Sequence, residues 1–155
     1  MPRPCFLVWL ALAGFLITAP LGTYNAMGRR MERILALDLG LTTGYAVSDI
    51  EDNLHDYGVI LEDELGDHLM MLTVTHTFSY IVAEKPVIFR GDLGNRLQDV
   101  IMATHRLFED KVKWIGPDAW KPTPFGHAEV PSGISTHTKD AIRIGLWYSN
   151  FLKRR

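Results

Sequence analysis

Three carboxylates spread over more than a hundred positions share one kind of setting. Asp38 ends the apolar run Ile34-Leu35-Ala36-Leu37, and Glu84 ends the run Tyr80-Ile81-Val82-Ala83. Asp140 opens the last helical stretch, with His137 three residues before it. A carboxylate at the end of a strand buried on both faces is costly to desolvate unless a cation compensates it. Strands that end at one edge of a sheet bring their terminal side chains together. Residues at i and i+3 share a helix face, so His137 and Asp140 can join them there. Oxygen-rich sets of this kind suit Mg2+ or Mn2+, which bind carboxylates and keep waters for substrate oxygens. Two such ions can activate water on one side of a phosphodiester and stabilise the leaving oxygen on the other. Without them the carboxylates would repel a substrate phosphate. Two blander readings compete: Asp38 as a turn cap, a common use of aspartate, and His137 as a structural residue rather than a ligand or proton-transfer group.

For these groups to meet, the elements between them must form one layered domain. Ile34 to Leu37 reads as a buried strand. Gly40 and Gly44 bracket a polar turn before a second strand beginning Tyr45-Ala46-Val47, and Tyr57 to Leu61 reads as a third. Leu65, Leu69 and Leu72 recur at helical spacing between Glu62 and about Phe78. The strand ending at Glu84 is stopped by Lys85-Pro86. A second helix is predicted from Leu93 to Glu109, with Leu97, Ile101, Thr104 or His105, and Phe108 on one side. Val112 to Ile115 is a fifth strand, ended by Gly116-Pro117. Asp118 to Ser135 is a Pro- and Gly-containing loop long enough to be functional or disordered. Thr136 or Thr138 is expected to cap a final helix from about Lys139 to Leu152, with Ile142, Leu146 and Ser149 facing inward. The order βββαβαβ, loop, α predicts an α/β fold with a five-stranded mixed sheet flanked by helices.

At 155 residues the chain suits one domain plus an appendage. Cys5 is its one cysteine, which excludes an intramolecular disulfide framework. Residues 1–30 form an apolar leader in which an uninterrupted run, Cys5 to Ala19, follows Arg3. The leader resembles a signal peptide and is short for a spanning helix. A misassigned start is the favoured reading, with Met27 or Met31 opening a cytoplasmic domain of residues 31–155. A genuine leader would tether or export it. The net charge of -2 conceals a polarity. Met31 to Glu84 holds eleven acidic residues against Arg33 alone, while Lys85 to Arg155 holds twelve Lys and Arg against seven Asp and Glu. The acidic half suits metal and the basic half a phosphate backbone.

Ile34-Leu35-Ala36-Leu37-Asp38-Leu39-Gly40, Ile81-Val82-Ala83-Glu84 and His137-Thr138-Lys139-Asp140-Ala141, in this order, resemble the RNase H-like superfamily. Within it they are most similar to RuvC-type Holliday junction resolvases, particularly the short phage-encoded ones. The resemblance implies that Asp38, Glu84, His137 and Asp140 bind two Mg2+ and catalyse cleavage of four-way and other branched DNA. Many family members carry a carboxylate where His137 stands. A Glu after the fourth strand, rather than on the first helix, sets the chain apart from RNase H proper. Lys121, in Trp120-Lys121-Pro122, stands where the family carries a basic DNA contact, and Phe89 where it places an aromatic near the branch point. Arg90, Arg96, Lys139 and Arg143 are further phosphate-contact candidates, which would make binding salt-dependent. The resemblance also implies a homodimer formed through the second helix, with two sites on two symmetric strands.

Two other functions compete. Gly44-Tyr45-Ala46-Val47-Ser48-Asp49 also resembles the opening of YqgF-like RNase H-fold nucleases acting on RNA, though those lack an Ala-Glu-Lys-Pro strand end. A non-catalytic DNA-binding module of the same fold is disfavoured by the retained acidic set, which is destabilising without metal.

Overall fold

Period-two alternation along the central strands sorts the side chains into two cores and places the carboxylates in one of them. The computed structural model describes residues 24, 27–88 and 90–155. The apolar leader up to residue 23 and Phe89 lie outside these described residues. The elements are β1 (Arg33–Asp38), β2 (Thr42–Asp49), β3 (Leu54–Leu61), α1 (Leu65–Thr75), β4 (Tyr80–Glu84), α2 (Asp92–Phe108), β5 (Val112–Ile115) and α3 (Thr136–Lys153). They build one five-stranded mixed sheet in the order β3-β2-β1-β4-β5. β1 pairs antiparallel with β2 and parallel with β4, and β4 pairs parallel with β5. The element order and the mixed sheet are those expected from the sequence.

Leu35 and Leu37 of β1, with Ile81 and Ala83 of β4, face α1 and α2 and pack against Leu65, Leu69, Leu72, Val100 and Phe108. Ile34, Ala36 and Val82 face the other way, toward Ile144 and Tyr148 of α3. Asp38 and Glu84 share the parity of this second set, so both strand ends point to the α3 side. That face is made of small residues. A Cβ placed on Gly145 of α3 would lie 3.1 Å from Ser48 Oγ and 3.5 Å from the Ala36 Cβ. Helix and sheet therefore touch almost backbone to backbone.

Several boundaries differ from expectation. β3 begins at Leu54 because its first residues alternate between half-buried and exposed, without an apolar run to mark them. α1 stops at Thr75, and His76 is already extended. Ser135 caps α3, accepting the Thr138 N–H at 3.0 Å, whereas Thr138 donates its own hydroxyl to the Gly58 carbonyl at 2.9 Å. The buried stripe of α3 runs through Thr138, Ala141, Gly145 and Ser149, with Ile142 beside it and Leu146 half-buried. The segment 118–135 is largely built from turns. Two 3-10 turns, Pro117–Ala119 and Pro124–His127, are stitched by Lys121 N–H to Pro117 O and Thr123 N–H to Trp120 O, both 3.0 Å. Among the described residues no helix is long and apolar enough to cross a membrane.

The sheet and α3 approach most closely at Gly44, where a Cβ would come 2.0 Å from the His137 carbonyl oxygen. Gly44→Ala is expected to lift the start of α3 and cost about 2–4 kcal/mol in urea denaturation. Gly66→Ala, in α1 with nothing within 4 Å of the new methyl, is expected to stabilise by up to about 1 kcal/mol.

Candidate active site

In the parallel pairing of β1 with β4, Asp38 is the direct register partner of Glu84. Adjacent strands lie about 4.8 Å apart, and both residues point to the same face. The third side of the site comes from α3. Gly44 pairs with Asp38 on the opposite flank, and its missing side chain admits the His137 backbone. From there His137 Nδ1 reaches Asp38 Oδ2 at 2.8 Å. Asp140 follows one turn later, near enough for its charge to act on Asp38. Asp38, Glu84, His137 and Asp140, 102 positions apart at the extremes, thus converge at one sheet edge.

The cluster is electrostatically tense. Burial pushes the Asp38 carboxyl up to about 6. The His137 hydrogen bond opposes this shift, and the charges of Glu84 and Asp140 add to it. Each carboxylate has a cationic or cation-forming neighbour from this chain. His137 serves Asp38, Lys121 Nζ lies 3.7 Å from Glu84 Oε1, and Arg143 Nη1 lies 3.4 Å from Asp140 Oδ1. Glu84 also accepts a hydrogen bond from the indole N–H of Trp120, a buried residue of the loop after β5.

Among the described residues no group of three His, Cys, Asp or Glu stands arranged as a finished metal cage. The donor set nonetheless fits a hard divalent cation: three convergent carboxylates and an imidazole, with the repulsion already visible in the raised Asp38. Such an ion would have to take the place of Lys121 beside Glu84 and of Arg143 beside Asp140.

The other expected residues are placed unequally. Lys121 is at the rim, on Glu84. Arg143 is tied down, with its Nε donating to the Ala128 carbonyl at 3.2 Å as well as pairing with Asp140. Lys139 lies in the first turns of α3, half-buried, and Arg90 is exposed after β4. Arg96 lies on α2, against the opposite face of the sheet, and its Nε donates to both Glu62 oxygens at 3.1 Å. It stands apart from the cluster on α3's side. Phe89 is outside the described residues. Sequence reading overlooked Trp120 as a partner of Glu84. Its one signal was adjacency to Lys121.

No protein-family model and no curated protein matches the chain. Solved structures do. Thermus thermophilus RuvC in complex with Holliday junction substrate superposes with a TM-score of 0.65 at 14% identity, covering 79% of this chain and 96% of that one. A second Thermus thermophilus RuvC structure gives 0.57 at 17% identity with the same coverage. The fold is that of RuvC. At these identities the likeness concerns architecture: an RNase H-like sheet and helices spanning most of the chain.

The raised Asp38 carboxyl has a sign that can be measured. Its folded value, about 6, lies above the unfolded 3.8, so the native state holds the extra proton and stability falls as pH rises from about 4 through 6. Without divalent ions, Asp38→Asn is expected to remove that fall and to be more stable than wild type at pH 7 by about 2–3 kcal/mol. Denaturant unfolding of both proteins across this window checks it. Adding Mg2+ should raise the Tm of wild type and leave Asp38→Asn unmoved.

Proposed function

We propose that the chain is a divalent-metal-dependent endonuclease that cuts branched DNA, four-way junctions foremost. The observation supporting this reading is the in-register convergence of Asp38 and Glu84 with His137 and Asp140, on a fold shared with a RuvC structure bound to a Holliday junction substrate. Asp38, Glu84, Asp140 and His137 would hold the ions. When bound, two Mg2+, or Mn2+, supply Lewis acidity at the scissile phosphate and a nucleophilic water at neutral pH.

The chain's own groups do the rest. Asp38, buried and more basic than an ordinary aspartate, is held toward the site by the His137 Nδ1 bond. The half-exposed His137 ring keeps Nε2 for one of two duties: to hold an ion, or, in place of that, to exchange a proton with water or with the departing 3' oxygen, giving a 5'-phosphate and a 3'-hydroxyl. Lys121 and Arg90 offer cationic contacts to the phosphate backbone, and Lys139 stands two residues after His137 in the first turn of α3. In this reading a homodimer through α2, which exposes Leu93 and Met102, would set two such sites on symmetric strands.

Labelled four-way, three-way and linear DNA, with structured RNA of matched length, test the assignment. Nicking is expected on the four-way junction, only with Mg2+ or Mn2+. Asp38→Asn should retain junction binding and lose nicking by at least about a thousandfold. Preferential cleavage of the RNA would transfer the assignment to a YqgF-like activity, and residual full cleavage by Asp38→Asn would remove that residue from the mechanism. Lys121→Ala and Arg90→Ala should each weaken binding and flatten its salt dependence by about one unit of log–log slope.

A further inference from the structure

Glu84 is held differently from the other two carboxylates. Both of its oxygens are engaged by consecutive residues of the loop after β5. The Trp120 indole N–H donates to Oε2, and Lys121 Nζ lies 3.7 Å from Oε1. The two partners have opposite mobilities. Trp120 is 1% exposed and locked among Ile34, Ala36, Val82 and Ile115. Half of the Lys121 side chain is exposed, and its Nζ also lies 5.3 Å from the Trp120 ring centroid. The backbone beneath them is fixed. Besides the bonds to Pro117 and from Thr123, Gly126 lies so close that a Cβ there would come 2.0 Å from the Lys121 carbonyl oxygen.

We propose that Trp120 and Lys121 form a two-part holder for Glu84: Trp120 is a positioning residue that fixes Oε2, and Lys121 is a resident counter-ion on Oε1 that an incoming divalent cation displaces. The inference rests on the metal reading of the cluster and assigns separate duties to the two oxygens. A buried indole N–H needs a partner, and leaving it unpaired is costly. The ring cannot swing away without opening the core, so the bond to Oε2 persists whatever happens at Oε1. Lysine is a compact charge on a flexible stem, and the face of the neighbouring indole gives it a second resting place. A doubly charged ion outcompetes it for Oε1. The released ammonium then stays at the rim of the site, over Trp120 or against a substrate phosphate. The carboxylate meets the ion already turned, with one oxygen spoken for and one presented.

The experiment is NMR of the full chain with 15N-labelled tryptophan, reading the Trp120 indole proton during Mg2+ titration. In wild type that proton is expected downfield of the Trp114 and Trp147 indole protons, and it should move as Mg2+ is added. Glu84→Gln should return it upfield and abolish the response. Lys121→Met should keep the downfield proton and lower the half-saturating Mg2+ concentration about threefold. Trp120→Phe, with folding checked by circular dichroism, should raise that concentration about tenfold or more, as loss of outer-shell partners does. A Trp120 indole proton unmoved by Glu84→Gln overturns the positioning role. Unchanged Mg2+ affinity in Lys121→Met overturns the counter-ion role. A downfield, Glu84-dependent proton that responds to neither Mg2+ nor Mn2+ removes the metal reading together with Lys121's part in it. The expected titration without any junction cleavage leaves the holder standing and removes the nuclease.

Discussion

The start of α3 lies directly on Gly44, with no room for even a methyl group between them, and the chemistry of the site depends on that contact. Asp38 and Glu84 are brought together by strand pairing alone, but two carboxylates on a sheet edge are only a source of repulsion. The helix supplies His137 and Asp140, and it does so because the face it covers is made of Ala36, Gly44, Ala46 and Ser48. Ser135 and Thr138 then pin the first turn, one by capping and one by bonding across to Gly58 in β3. Position along α3 is set at its other end as well. Ser149 donates to Asp52, and Lys153 pairs with the same carboxylate at 2.8 Å. The helix is thus fastened at both ends, over a contact surface that tolerates no thickening.

Much of this could be read from the sequence. The strand ends at Asp38 and Glu84 stand out because an apolar run stops at an unexpected charge, and the His137–Asp140 spacing fixes their shared helix face. The element order βββαβαβ and a single mixed sheet were legible in the apolar runs; which strand neighbours which, β3-β2-β1-β4-β5, came only with the structure. What else escaped reading has a common cause: contacts made by small or polar residues leave little trace in a hydrophobic pattern. The stripe Thr138, Ala141, Gly145 and Ser149 packs closely on the sheet, yet apolar periodicity picks out Ile142 and Leu146 with Ser149 and passes over Thr138, Ala141 and Gly145. The cap at Ser135 lay one residue before the threonines that looked better placed. The loop from Asp118 to Ser135 reads as irregular because its turns are closed by backbone bonds and by Gly126, neither of which shows in composition. Trp120 was hidden by its type, since a tryptophan after a strand reads as core. It is core, and the same burial aims its one polar atom at Glu84.

The electrostatics of the cluster set function against stability. Asp38 pays for its position with a carboxyl shifted upward by burial and by its anionic neighbours. Nearby His137, Lys121 and Arg143 lessen the strain without removing it. Groups so placed are destabilising alone and become favourable when a counter-charge arrives. Hydrophobic residues in these places would give a sturdier protein. Four polar groups at one sheet edge are therefore not accounted for by folding stability alone.

The same logic bears on the segregation of charge along the chain. The acidic half contributes Asp38 and Glu84, and the basic half contributes Lys121 and Arg143. Folding brings both halves to one edge, so part of the basic surplus is committed inside the protein before any nucleic acid is met. Lys121 and Arg143 lie against carboxylates, and Arg96 lies against Glu62 on the other face of the sheet. A count of basic residues therefore overstates the charge available to a phosphate backbone. Loading the cluster with divalent cations would change that count. Neutralised carboxylates no longer need their internal partners, and the released cations add to the positive field facing a substrate. Metal occupancy and DNA affinity are then linked through the same few side chains. On the proposed reading each would change the affinity for the other by the same factor, because the coupling between two bound ligands is reciprocal.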